Sequence, residues 1–207
     1  YEDAEVFQHN TTTALDSHAP DEVKYASFAA MYNYIVELVG RKEREPGDDL
    51  ISRLLTDYVA TGLLHRDSVA MNSVIMLQAG HETTANMLSL GTVALLERPD
   101  IWARLATAEE PELIVNVVDE LMRYLSIVHS QVERVAKEDL TIGGELIRAG
   151  EMVLMNIPAG NWDPEYAENP EELDVTRNTR GHLGFGYGAH QCIGMNLARV
   201  ELQVAFA

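Results

Sequence analysis

Phe185-Gly186-Tyr187-Gly188-Ala189-His190-Gln191-Cys192-Ile193-Gly194 holds the only cysteine of the 207-residue chain, and what that sulfur can do decides how the rest is read. Gly186, Gly188 and Gly194 let the backbone turn tightly, so that amide hydrogens can converge on one sulfur and hold it as a thiolate. A helix is expected to start near Ile193, and the positive end of its dipole favours the ionised sulfur. Phe185 offers an aromatic face to a flat ligand, and Gly194 removes a side chain where that ligand would meet the backbone. Together these features point to a thiolate metal ligand under a planar macrocycle. Two plainer readings compete. A lone cysteine in a globular domain is commonly buried and inert, and Cys192 with His190 would be a nucleophile and base, although no orienting third group is evident.

The loop resembles the cysteine-ligand loop of the cytochrome P450 family, the haem-thiolate monooxygenases. Their pattern is Phe, two residues, Gly, three residues, Cys, one residue, Gly, and Phe185, Gly188, Cys192 and Gly194 fall on it. Three further motifs stand in the family's order. Ala79-Gly80-His81-Glu82-Thr83-Thr84 sets a carboxylate and two hydroxyls inside an apolar helical run, against the local pattern. Thr83 can bond back to the Ala79 carbonyl and open the helix there. The alternative of a metal site at His81 and Glu82 lacks the second histidine of an H-E-x-x-H motif, since Ala85 stands in its place. Glu120 and Arg123 share a helix face and can pair. Arg177 lies in a later irregular segment.

The resemblance implies a role for each of these residues. Cys192 would be the axial ligand of the iron in haem b (iron protoporphyrin IX), with Phe185, Gly186 and Gly194 around it. Arg134 and His190 would bind the haem propionates, although Arg134 read alone is an exposed strand charge. Glu82 and Thr83 would relay protons to dioxygen. Glu120, Arg123 and Arg177 would form a buried triad bracing the cysteine loop. Met76, Ala79, Gly80, Val128, His129 and Ser130 would line a substrate pocket. The reaction implied inserts one oxygen atom of O2 into an apolar organic substrate of macrolide, terpenoid or xenobiotic type. Its electrons would come from NAD(P)H through ferredoxin and ferredoxin reductase, or a flavoprotein reductase. His190 and the Ala-Gly-His-Glu-Thr-Thr string resemble the soluble bacterial, actinobacterial-like branch. Rival readings are a non-catalytic haem-binding or incomplete fragment, and a structural helical domain with Cys192 in its core.

Composition sets outer bounds. A formal charge of −18 argues against nucleic acid and anionic membrane surfaces, which demand clustered Lys and Arg. One cysteine excludes an internal disulfide and fits a reducing cytoplasm. The apolar run Met87 to Leu96 is too short to span a bilayer. Tyr1 is no start methionine, and members of the resembled family are roughly double this length. Residues 1–207 are therefore expected to be a single haem domain truncated at both ends.

The expected fold is mainly α with a small β part: the C-terminal portion of the cytochrome P450 fold, built on a long central oxygen-binding helix and the cysteine loop. Helical spacing marks a helix from about Pro20 to Arg44 through Phe28, Tyr32, Ile35, Val36 and Val39. It and the residues before it would match two helices that cover the substrate pocket. After the break at Glu45-Pro46-Gly47, Asp48 or Asp49 can cap a helix striped by Leu50, Ile51, Leu54, Leu55 and Tyr58. A long helix from Asp67 to about Glu97 comes next, then helices from Pro99 and Pro111. Short strands are expected at 132–135, 140–142 and 145–147, with Gly143-Gly144 as a hairpin turn. Residues 160–179 read as an irregular loop pinned by Trp162 and Tyr166. A final helix begins beyond Gly194.

Overall fold

A computed structural model describes residues 4–107, 110–129 and 132–207. The chain forms two compact units, Tyr1–Glu82 and Thr83–Ala207. The long helix α4 (Arg66–Leu96) contributes to each.

In the first unit, α1 (Ala4–Leu15) lies against α2 (Asp21–Arg44). Phe7 meets the Tyr34 ring edge-on at 4.8 Å, and the Thr11 hydroxyl donates to the Met31 sulfur at 3.4 Å. Met31, Ile35 and Val39 recur one helical turn apart, so one face of α2 is buried, with Val69, Ala70 and Val74 of α4 in the same core cluster. Each such side chain contributes about 1.5–3 kcal/mol when fully buried. Of the two candidate caps, Asp49 is used. Its Oδ1 accepts the Ser52 amide at 2.9 Å and starts α3 (Leu50–Leu54). The expected single helix there then widens into a π turn, Leu55–Val59, because the Ala60 amide reaches back to the Leu55 carbonyl. Gly62, at φ +74°, closes the turn in a conformation that favours glycine.

The second unit is built on α6 (Pro111–Leu125). Leu113, Val117, Val118, Leu121 and Met122 form its buried stripe. They share a core with Met87 and Leu95 of α4, Ile101 of α5 (Pro99–Thr107), and Leu202 and Phe206 of α8 (Met195–Phe206). Gly91 makes room for Phe206, whose Cζ lies 2.8 Å from where a Cβ would stand. The sheet part is two antiparallel pairs. The expected hairpin joins β2 (Leu140–Ile142) to β3 (Glu145–Ile147) through Gly143 and Gly144, both at positive φ. The other pairing was not legible in the sequence: β1 (Glu133–Val135) binds β4 (Met152–Leu154), with Arg134 opposite Val153. The short helix α7 (Ile157–Asn161) takes up the first residues assigned to the irregular loop. Trp162 and Tyr166 do pin the segment after α7, donating to the carbonyls of Tyr124 at 3.0 Å and Thr179 at 3.1 Å.

Candidate functional site

The cysteine loop is closed by its own backbone. A 3-10 turn, Leu183–Phe185, enters it and a second, Gly188–His190, lies inside it. The Cys192 amide donates to the Phe185 carbonyl at 2.8 Å, the Gly186 amide to Leu183 at 2.8 Å and the Gln191 amide to Gly188 at 3.0 Å. These three bonds tie the loop shut. Two of the loop's glycines are required for their conformation: Gly186 has φ +69° and Gly188 has φ +78°. The next helix starts at Met195, near Ile193 as expected, with Gly194 as its N-cap. A Cβ on Gly194 would be 3.8 Å from the Cys192 sulfur, so that sulfur stands beside the first turn of α8. Phe185 is buried, whereas Cys192 is exposed. In the surrounding sequence, Tyr187 at 87% and Ile193 at 93% of full exposure, with Leu197, are exposed as well. The expectation of a buried cysteine is thus not met.

The Glu120, Arg123 and Arg177 side chains are brought together at the core. Arg123 and Glu120 are both 0% exposed and face each other as a fork, Nε to Oε2 and Nη2 to Oε1, each at 2.8 Å. The remaining Arg123 hydrogens go to the carbonyls of Asn161 at 3.1 Å, Pro170 at 2.8 Å and Glu172 at 3.0 Å. All five N–H donors of the guanidinium are used. Arg177 is the looser member. Its Nε stands 3.6 Å from Glu120 Oε1 without a hydrogen bond, and its Nη atoms bind the carbonyls of Glu168 and Asn169.

Asn161 carries this network to the loop. It is fully buried; its carbonyl accepts Arg123, its Nδ2 donates to Ser126 Oγ at 2.8 Å, and its Oδ1 accepts the Leu183 amide at 2.6 Å. Ser126 itself sits at φ +43° as the C-cap of α6, held by its hydroxyl bond to the Arg123 carbonyl at 2.8 Å. A continuous path thus runs from the buried ion pair to the turn whose Phe185 carbonyl fixes the Cys192 amide. Beside it, Asp119 accepts Arg199 Nε at 2.9 Å. Burial pushes the Asp119 carboxyl up, but His182 and Arg199 outweigh this and hold it below the usual carboxylate range.

The other expected residues are less assembled. Arg134 is exposed on β1, where Nη1 donates to the Glu133 carbonyl at 2.8 Å, and His190 is exposed on the loop. Met76, Ala79, Gly80 and Glu82 lie on the α4 portion of the first unit. Glu82 is half-buried, with Oε2 3.8 Å from His81 Nδ1, and a Cβ at Gly80 would meet open space. Thr83 opens the second unit, and α4 remains helical through it. Val128 and His129 are exposed beyond the end of α6, and Ser130 lies outside the described residues. Among the described residues, no group of three or more His, Cys, Asp or Glu side chains could hold a metal ion. A metal at Cys192 would therefore have to bring most of its ligands with it. A macrocycle does so.

The sequence model of the family described as Cytochrome P450 matches residues 20–207. This chain belongs to the cytochrome P450 family. It is 47% identical to "Cytochrome P450 GfsF" of Streptomyces halstedii over 100% of this chain and 50% of that protein. It is 40% identical to the 20-oxo-5-O-mycaminosyltylactone 23-monooxygenase of Streptomyces fradiae, over 99% of this chain and 48% of that one. Among solved structures, the mycinamicin VIII methyl hydroxylase MycCI of Micromonospora griseorubida, bound to mycinamicin VIII, superposes with a TM-score of 0.93 at 35% identity. The match covers 100% of this chain and 52% of that one. The chain thus spans about half the length of the curated P450 relatives it matches. The mainly helical fold with its small sheet part is that of the P450 family, as expected. Asn161, Asp119, His182 and Arg199 had given no sequence signal, because each acts through partners far along the chain.

Proposed function

We propose that this P450 chain is the haem-binding part of a monooxygenase, with residues 1–207 forming part of a single haem domain. It would insert one atom of dioxygen into an apolar organic substrate and reduce the other to water, using two electrons and two protons. The observation that carries the reading is Cys192: the sole thiol of the chain, exposed, and fixed by a loop that is itself braced from a buried ion pair. Bound haem b would supply the electron-transfer and dioxygen chemistry, which thiolate ligation tunes toward O–O cleavage.

The chain's own residues would do the rest. Cys192 would hold the iron through Sγ, with Phe185, Gly186 and Gly194 shaping the contact. Arg134 would turn its guanidinium from the Glu133 carbonyl to a propionate, a bidentate match, and His190 would take the second. Glu82 would pick up protons at its carboxylate and Thr83 would pass them on through Oγ1. Glu120, Arg123 and Arg177 would keep the loop in place. Met76, Ala79, Gly80, Val128, His129 and Ser130 would contact the substrate. Macrolide, terpenoid or xenobiotic substrates are supported by relatives such as the mycaminosyltylactone monooxygenase and the "Pentalenic acid synthase" of Streptomyces avermitilis. Electrons would arrive from NAD(P)H through ferredoxin and its reductase or a flavoprotein. A cytoplasmic setting fits those partners, and among the described residues no helix is long and apolar enough to cross a membrane.

A second reading, haem binding without turnover, is favoured by the exposure around Cys192 and the half-length match. Incubation of the haem-loaded chain with ferredoxin, reductase, NADPH and isotope-labelled dioxygen separates the two. Label in an oxidised macrolide or terpenoid supports the monooxygenase. Haem binding with no labelled product across such a panel supports the second reading.

A further inference from the structure

Asp119 and Glu120 are neighbours on α6, and because successive helical residues point about 100° apart they serve different segments. Glu120 is committed to Arg123, Arg177 and the Asp174 amide. Asp119 instead meets both arms of the cysteine loop. Its Oδ1 accepts Nε of Arg199, which lies past the loop on α8, at 2.9 Å. The same oxygen stands 3.6 Å from Nε2 of His182, which precedes the loop. His182 Nδ1 accepts the Gly184 amide at 3.0 Å, which puts the ring hydrogen on Nε2, the nitrogen that faces Asp119 and has no other partner among the described residues. Both cluster members also hold Phe185. The Arg199 guanidinium lies over its ring at 4.9 Å, and the His182 ring is 5.5 Å away. Phe185 in turn holds the Cys192 amide through its carbonyl, at 2.8 Å.

We propose that Asp119 is a clasp, a positioning residue that gathers the incoming and outgoing arms of the cysteine loop on one buried carboxylate and so fixes where the Cys192 sulfur stands. The clasp rests on this geometry alone; its consequence for a metal ligand rests on the function proposed above. Of the bonds involved, the charged one to Arg199 is the strongest, while His182 orients the first turn and Phe185 transmits the position.

Amide hydrogen exchange tests this without haem. In Asp119→Asn, which keeps shape and removes charge, the Cys192 and Gly186 amides should exchange at least about tenfold faster, the loss expected for a charged hydrogen bond. The α6 amides of Val117 and Val118 should keep their protection. His182→Asn retains an oxygen to cap the Gly184 amide but not the approach to Asp119, and should give a smaller change in the same direction. Arg199→Lys keeps the charge, loses the stack on Phe185 and should also speed Cys192 exchange. Unchanged Cys192 exchange in all three variants overturns the clasp, and so does equal loosening of α6 and the loop. With haem added, Asp119→Asn should show a smaller fraction of the thiolate-ligated ferrous carbon monoxide band than the unaltered chain. If the unaltered chain shows no such band while the variant's Cys192 amide loses protection, the clasp stands and the haem-ligand reading fails.

Discussion

Replacing Arg123 by alanine should be among the most damaging single changes to the second unit. Breaking a fully buried ion pair costs about 3–5 kcal/mol, because the surviving charge is left in a low-dielectric interior. Glu120 would retain only the Asp174 amide at 3.0 Å and the distant Arg177 Nε. Three carbonyls, of Asn161, Pro170 and Glu172, would lose a donor as well. Each unmet buried group costs about 1–3 kcal/mol, and these losses overlap, so a total of at least about 4 kcal/mol is expected. A domain holds only about 5–15 kcal/mol in all. Urea unfolding monitored by far-ultraviolet circular dichroism should therefore show the variant at a much lower midpoint or already unfolded. Adding Glu120→Gln should recover part of the loss by removing the orphaned charge. Arg104→Ala, which breaks the exposed pair with Glu110, should leave the midpoint in place. A loss below about 1 kcal/mol for Arg123→Ala, typical of a surface pair, would refute the buried-fork account.

Asn161→Ala should cost about 1–3 kcal/mol, since it strands the Leu183 amide and the Ser126 hydroxyl, and the same urea titration reads it. Gly188→Ala, at φ +78°, should cost about 1–2 kcal/mol from backbone strain although the space around it is open, with the loss again visible as a lower midpoint. Asp119 has a depressed carboxyl, so its stabilisation is complete above the usual carboxylate value and disappears as pH falls through the lower folded value. The stability gap between the unaltered chain and Asp119→Asn should accordingly be constant from neutral pH to about pH 5 and close below about pH 4; a gap that widens in acid contradicts the assignment. In the haem-loaded protein, Thr83→Ala should retain haem yet raise the share of reducing equivalents recovered as hydrogen peroxide. Unchanged coupling would remove Thr83 from the proton path.

What the sequence disclosed was local. The cysteine loop could be read because its glycines, phenylalanine and cysteine act over ten contiguous residues, and Gly186 and Gly188 do adopt the left-handed conformations that glycine permits. The helices were legible from apolar spacing, as for Ile35 and Val39, which are buried, and Phe28, Tyr32 and Val36, which pack partly buried against the same core. The hairpin was legible from Gly143-Gly144. What stayed hidden depends on distant pairing. Strand β4 is three residues long, too short for alternation to register, and exists because Met152 to Leu154 meet β1. Helix α7 was hidden by Pro158 and Gly160, which read as loop signals, yet Gly160 is where Leu183 packs: its Cδ1 lies 2.8 Å from the Cβ position. Asn161 and Asp119 look like ordinary polar residues until the fold places Leu183, His182 and Arg199 against them. Arg177 was foreseen as a member of the triad, but its chief bonds are to the carbonyls of Glu168 and Asn169, so it braces the irregular segment more than the ion pair.

The most direct test of the central claim, that Cys192 is a haem-thiolate ligand, is the ferrous carbon monoxide difference spectrum of the chain supplied with haem, recorded beside Cys192→Ala. A Soret band displaced far to the red in the unaltered chain and missing from the variant is the predicted result. The same band in both proteins, or haem bound by the unaltered chain without any such displacement, would contradict it.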